Sequence, residues 1–204
     1  KEFDCTALFT NGAQGSVDID NWKWRDWNGV EHIGVTLAQV VAQVAEDANA
    51  ADSPLRVSHV KYAISRRKIS DEELRWAEEV LKQTGGEIQA VADGVGDDYK
   101  ALLYKKIHEA RDSDIEVEQT CISIGDCAFL SFPGELFTEI GMEIKRSSPF
   151  EHTFIVGLAN GYVGYVPTRE AISQGGYEVD TRPSDVAAEQ IIVEQSLKLL
   201  NEVK

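Results

Sequence analysis

The sequence is poor in the features that announce the commonest functions. Basic charge is scarce: 20 Lys and Arg stand against 35 Asp and Glu, for a net charge of −15 over 204 residues. The largest basic cluster is SRRK, Ser65 to Lys68. Such a chain repels phosphate backbones and anionic membrane surfaces, so nucleic acid is excluded as a partner. No apolar run approaches the roughly 18 to 20 residues that cross a bilayer, so the chain is not read as transmembrane. There is no GxSxG elbow, which argues against a metal-free α/β hydrolase. The four histidines, His32, His59, His108 and His152, show neither HxH nor HExxH spacing and read as ordinary surface or strand residues. The three cysteines form no CxxC pair, and their odd number argues against a complete disulfide framework. A two-residue turn at Gly125-Asp126 would set Cys121 opposite Leu130 and Cys127 opposite Ile124, so these two sulfurs are not cross-strand partners and are expected to be buried, inert thiols. The first residues, KEFDCTALFT, resemble neither a signal peptide nor a cytosolic start, and the sequence is expected to be a piece of something longer.

What is present suits one layered domain, since 43% hydrophobic and 27% charged residues are ordinary for a globular chain of this length. Cys5 to Thr10 is a short β-prone run broken by the glycines of NGAQGS, and the segment after it, with Trp22, Trp24 and Trp27, reads as an irregular loop that packs on something. Leu37, Val40, Val41 and Val44 have helical spacing within residues 35–50. LRVSHVKYAIS alternates as a strand, with Ser58, Val60, Tyr62 and Ile64 on one side. Ser70 and Glu73 form a capping box for a helix to about Gln83, stopped by Gly85-Gly86. A further helix is expected over roughly Asp98 to Arg111. Two strands then meet at Gly125-Asp126, and a helix runs from Glu135 to about Lys145 on a stripe of Leu136, Phe137, Ile140 and Ile144. Thr153 to Ala159 reads as a buried strand, and the last helix spans about Asp185 to Val203 with Val186, Val193, Leu197 and Leu200 inward. Interleaved helices and strands argue for an α/β layered domain, with a mixed β-sheet flanked by helices.

Two segments hold candidate chemistry. In SFPGELFTEIG, Glu135 follows Pro133-Gly134 at the point where a strand gives way to a helix, where a carboxylate faces the crevice at the sheet edge. Its plainer reading is as part of a solvated helix stripe with Glu139 and Glu143. In ANGYVGYVPTREAISQGGYEV, Tyr162, Tyr165 and Tyr177 accompany glycines that let backbone approach a ligand closely. Their plainer reading is amphipathic aromatics with rings in the core and hydroxyls in water.

The run from Ser123 to Val179 resembles the C-terminal part of the catalytic domain of the neutral/alkaline non-lysosomal ceramidases and their bacterial relatives. The shared elements are IGD in a hairpin, PGE entering a helix, SPF before a strand, and NGYVGYVPTREA followed by GGYE, all in order. The resemblance implies that residues 1–204 are the C-terminal half of a ceramidase-like catalytic domain whose N-terminal half, bearing the histidines, is absent. It implies a zinc ion (Zn2+) held by two histidines of that half together with Glu135 and Tyr165, and a further tyrosine, Tyr177, beside the metal and able to hydrogen-bond the substrate amide. The implied activity is zinc-dependent hydrolysis of N-acyl amide bonds in lipid or sphingolipid metabolism. The implied substrate is an N-acyl amphiphile or another small amide, and the implied location is secreted or periplasmic. TNGAQGSVDID departs from the family's GDVSPN segment, so the expected substrate is an N-acyl amide rather than ceramide in particular. The alternative is a non-catalytic fragment or degenerate homologue that serves as an association module.

Overall fold

The computed structural model describes residues 8–19, 24–46, 53–91 and 95–204. Its elements in chain order are α1 (Trp27–Glu46), β1 (Leu55–Ile64), α2 (Asp71–Thr84), α3 (Asp97–Glu109), β2 (Ile115–Ile124), β3 (Cys127–Ser131), β4 (Glu135–Leu136), α4 (Thr138–Ser147), β5 (His152–Val156), β6 (Tyr165–Val166), α5 (Arg169–Gln174), α6 (Tyr177–Thr181) and α7 (Ala188–Glu202). The main sheet has the order β1-β2-β3-β5. Its first two pairings are antiparallel and the third is parallel. The fold is therefore α/β with a mixed sheet, as the interleaved pattern requires.

Alternation decides which side of the sheet is covered. Ile64 of β1, Val117 and Cys121 of β2, Leu130 of β3 and Ile155 of β5 point to one face and are buried with Ile140 and Ile144 of α4 and Ile192, Leu199 and Leu200 of α7. Gln119 lies in the same layer, fully buried, donating to the Ser131 carbonyl at 3.0 Å and accepting from the Tyr62 hydroxyl at 2.8 Å. A second, smaller core forms where α2 meets α3, around Ala77, Ala101, Tyr104 and Ile107. The capping box at Ser70 and Glu73 starts α2, and Gly85 ends it in the left-handed conformation at φ 67°.

Among the described residues, nothing covers the opposite face of the sheet. Val57 pairs with Ile122, Ile122 with Phe129, and Phe129 with Phe154, so one apolar residue from each strand lines up in a single row. These four are 55%, 37%, 38% and 45% exposed. The rings of Phe129 and Phe154 stack at 5.0 Å.

Several expectations need correction. The Trp-rich segment is not wholly irregular: Asp26 accepts the Gly29 N–H at 2.8 Å and starts α1 at Trp27. Leu37, Val40, Val41 and Val44 are helical but exposed, because none of the four joins a buried cluster. Trp24 stacks on His32 at 4.4 Å, Trp27 is exposed, and Trp22 lies outside the described residues, as do residues 47–50. Of the run Cys5 to Thr10, residues 5–7 lie outside the described residues and the remainder is not strand. The strand expected to Ala159 ends at Val156 and alternates between faces, since it is an edge of a sheet covered on one side only. The last helix begins at Ala188, and Val186 in the preceding turn is half-buried. Cys121 is buried opposite Leu130, as expected, whereas Cys127 is only partly buried because it faces the open side opposite Ile124.

Candidate active site

Glu135 is not in the first turn of a helix. Phe137 is the N-cap residue of α4, and Glu135 lies two residues earlier in β4, which pairs in parallel with β6. Glu135 and Tyr165 are register partners in that pair. The Glu135 N–H donates to the Gly164 carbonyl at 3.0 Å and the Phe137 N–H to the Val166 carbonyl at 3.1 Å. Glycine is needed on both sides of this contact. A Cβ on Gly134 would lie 2.7 Å from the Gly164 carbonyl oxygen, and Gly164 has φ +78° with Pro183 2.9 Å from any added Cβ. The Pro-Gly before Glu135 and the glycine before Tyr165 thus let two main chains meet closely enough to bring a carboxylate and a phenol together.

The Tyr162 hydroxyl donates to Glu135 Oε2 at 3.0 Å. Tyr165 and Tyr177 meet edge to face, with ring centroids 5.7 Å apart. All three candidate residues therefore belong to one cluster, although Tyr177 opens the short helix α6 rather than ending a strand. Desolvation, reinforced by the nearby Glu135 carboxylate, pushes the Tyr162 phenol up to about 12 and moves Tyr165 higher still. Desolvation also raises Tyr177, followed by the charges of Tyr99 and Glu135. Without a cation these hydroxyls are neutral donors at ordinary pH.

The tyrosines line a cavity of about 250 Å³ together with Tyr99, Leu103, Ile107, Ile115, Val163, Pro183 and Arg66. Spacing in the sequence does not connect Tyr99 or Arg66 with the PGE and NGYVGY segments; α3 and the end of β1 deliver them. The loop at Asn11 to Ser16 does not line it. It packs instead on the main chain of β4: the Gly15 N–H donates to the Leu136 carbonyl at 2.8 Å. Glu139 and Glu143 line a separate, larger groove of about 1050 Å³ at α4, α5 and α7, which parts them from Glu135. The solvated-stripe reading holds for those two and not for Glu135.

Glu135 and Tyr165 offer hard oxygen donors suited to a divalent cation, but no histidine lines the cavity. Among the described residues, no group of three or more His, Cys, Asp or Glu side chains converges as a metal site. His59 lies against Thr120 and Glu118, and His152 against Glu151. Also among the described residues, no helix is long and apolar enough to cross a membrane.

No protein-family model matches the chain, and no curated protein does. Among solved structures, it is similar to a ceramidase complexed with C2, at 22% identity over 42% of this chain and 14% of that one, with a TM-score of 0.40. It is also similar to the neutral ceramidase of Pseudomonas aeruginosa, at 16% identity over 75% of this chain and 29% of that one, with a TM-score of 0.45. The chain spans less than a third of the length of either structure.

Proposed function

We propose that this chain is the C-terminal half of a zinc-dependent hydrolase of N-acyl amides, ceramidase-like, whose metal is completed by histidines from a preceding half of the same domain. The observation that carries this reading is the register pairing of Glu135 with Tyr165 beside Tyr177. Two separate sequence segments meet there to place a carboxylate and a phenol side by side. Bound zinc supplies Lewis acidity toward the amide carbonyl and a water that is nucleophilic at neutral pH. Glu135 contributes the negative charge that holds the cation, and its Oε2 is oriented by Tyr162. Tyr165 contributes the second oxygen. Tyr177, packed on Tyr165 and lining the cavity, donates its hydroxyl to the substrate amide. The apolar cavity wall excludes water from one side of that amide.

The open sheet face supports the idea of a second half. A sheet normally buries both faces or presents polar residues on the exposed one, and the row Val57, Ile122, Phe129 and Phe154 does neither. In this reading the preceding half packs on that row, and the joined protein is exported. The decisive experiment joins the chain to the histidine-bearing half, then measures zinc per molecule and release of fatty acid from N-acyl amines. One zinc with amide hydrolysis is expected. A folded, joined protein that holds no zinc and cleaves no amide overturns the enzyme reading and leaves the association module, which the exposed apolar residues of α1 and the sheet favour.

A further inference from the structure

Among the described residues, Arg66 is the single charged residue lining the tyrosine cavity, in a chain whose net charge is −15. It follows β1, where a bridge to Ser184 holds its main chain, and its Nε donates to the Ser113 carbonyl at 2.9 Å. That bond anchors one edge of the guanidinium. Among the described residues, no hydrogen bond or ion pair engages its two terminal nitrogens, whereas both terminal nitrogens of neighbouring Arg67 are engaged, by Glu73 and by the carbonyls of Val179 and Asp180. No Asp or Glu among the described residues lines the cavity to neutralise Arg66. A half-buried guanidinium held by one edge, with its fork unused, is built to receive a planar anion, and a carboxylate matches it with two parallel hydrogen bonds.

The cavity's size narrows the ligand. About 250 Å³ is less than the roughly 300–1,000 Å³ that encloses a whole drug-sized molecule, so the cavity takes one end of an amphiphile. Leu103, Ile107, Ile115, Val163 and Pro183 make much of the rest of its wall apolar, Thr181 adds a hydroxyl already donated to the Tyr177 carbonyl, and the Tyr162 hydroxyl lies on Glu135.

We infer that Arg66 reads a carboxylate on the amine side of the scissile amide, so that the preferred substrates are N-acyl amino acids rather than neutral N-acyl alcohols. This rests on the amide-hydrolase reading for the nature of the ligand. Binding can be measured on residues 1–204 without metal, so it is decided separately from hydrolysis.

The test is calorimetric titration of the chain with three probes: N-octanoylglycine, the neutral N-octanoylethanolamine, and octanoate, which carries the carboxylate on the acyl side. N-octanoylglycine should bind at least about tenfold more tightly than either of the others, and the preference should shrink at high salt. Arg66→Gln should remove the preference, while Arg66→Lys, which keeps the charge without the fork, should retain part of it. Circular dichroism identifies a variant that fails to fold, in which case the Lys variant and the salt series on the unaltered chain decide. Equal binding of the glycine and ethanolamine conjugates overturns the inference. So does octanoate binding as tightly as the glycine conjugate, or a preference that survives Arg66→Gln. Loss of amide hydrolysis in the joined protein with this binding pattern intact would sink the enzyme reading alone.

Discussion

Glu135 and Tyr165 stand opposite one another across a two-residue parallel pair, held by main-chain hydrogen bonds of 3.0 and 3.1 Å. Their approach is set by backbone rather than by long, mobile side chains, so the fold itself brings the carboxylate and the phenol together.

The strongest consequence concerns Glu135→Gln in the joined protein. The variant keeps the shape of the side chain and loses its charge, so zinc content should fall and amide hydrolysis should drop by about 100-fold or more, with the fold retained. Glu139→Gln, in the first turn of α4 and on the larger groove, should leave zinc and rate unchanged and stability within about 0.5 kcal/mol. Matching zinc and rates in both variants would show that the carboxylate ligand has been misassigned.

Residues 1–204 alone should lose zinc on dialysis. Two oxygen donors fall short of the three or four protein ligands that hold this ion, and the described residues bring no third His, Cys, Asp or Glu to them. Elemental analysis reads the outcome directly; one retained zinc per chain would mean that local side chains complete the site.

Gly15→Ala should loosen the loop that docks on β4. The added Cβ would sit 2.4 Å from the Glu135 carbonyl oxygen, so main chain has to move, at a cost of about 1–3 kcal/mol in urea unfolding. Gly12→Ala, where nothing lies within 4 Å, is the control. Equal midpoints for the two variants would show that the loop does not hold β4 in place.

Tyr62 should govern alkaline stability. Burial raises its phenol well above the ordinary tyrosine range, so the folded state keeps the proton longer than the unfolded state does. The stability it contributes is complete below about pH 10, the unfolded value, and is lost as pH rises from there toward the folded value. Tyr62→Phe should flatten that loss, while costing about 1 kcal/mol at neutral pH because Gln119 Oε1 loses its 2.8 Å donor. Urea midpoints at neutral and alkaline pH check this, and an unchanged alkaline slope in the Phe variant would rule Tyr62 out.

Cys127 should react with alkylating reagents well before Cys121. Burial pushes the Cys121 thiol up to about 11, and it is inaccessible beneath α7, whereas Cys127 is partly exposed. Peptide mapping of a brief iodoacetamide pulse that found equal modification would contradict the assigned faces of the hairpin.

Local signals in the sequence were sufficient where a single element decides the outcome. Ser70 with Glu73, the glycine pair at 85 and 86, and the hairpin at Gly125-Asp126 all act over a few residues, and each forms as the pattern requires. The boundary at Glu135 was not legible, because its conversion from helix to strand comes from Gly164 and Val166, about thirty positions away in sequence. Helical spacing in α1 was visible but its exposure was not, since periodicity marks an apolar stripe without saying what covers it. Tyr165 and Tyr177 are singled out by ordered motifs, without which they read as amphipathic aromatics. Arg66 and Tyr99 reach the same cavity through tertiary packing alone, which no spacing rule encodes.

The open sheet face is divided chemically along its length. At one end Lys61 pairs with Glu118 at 2.9 Å and Glu116 at 3.7 Å; at the other lie Val57, Ile122, Phe129 and Phe154, without a charge among them. A contact made over the uncharged end draws on apolar hydration, which weakens on cooling and is strengthened by sulfate, whereas sodium chloride screens the ion pairs at the other end. Any complex formed there should weaken on cooling and tolerate salting-out ions, so warm purification in sulfate should retain it better than chilled dilute buffer.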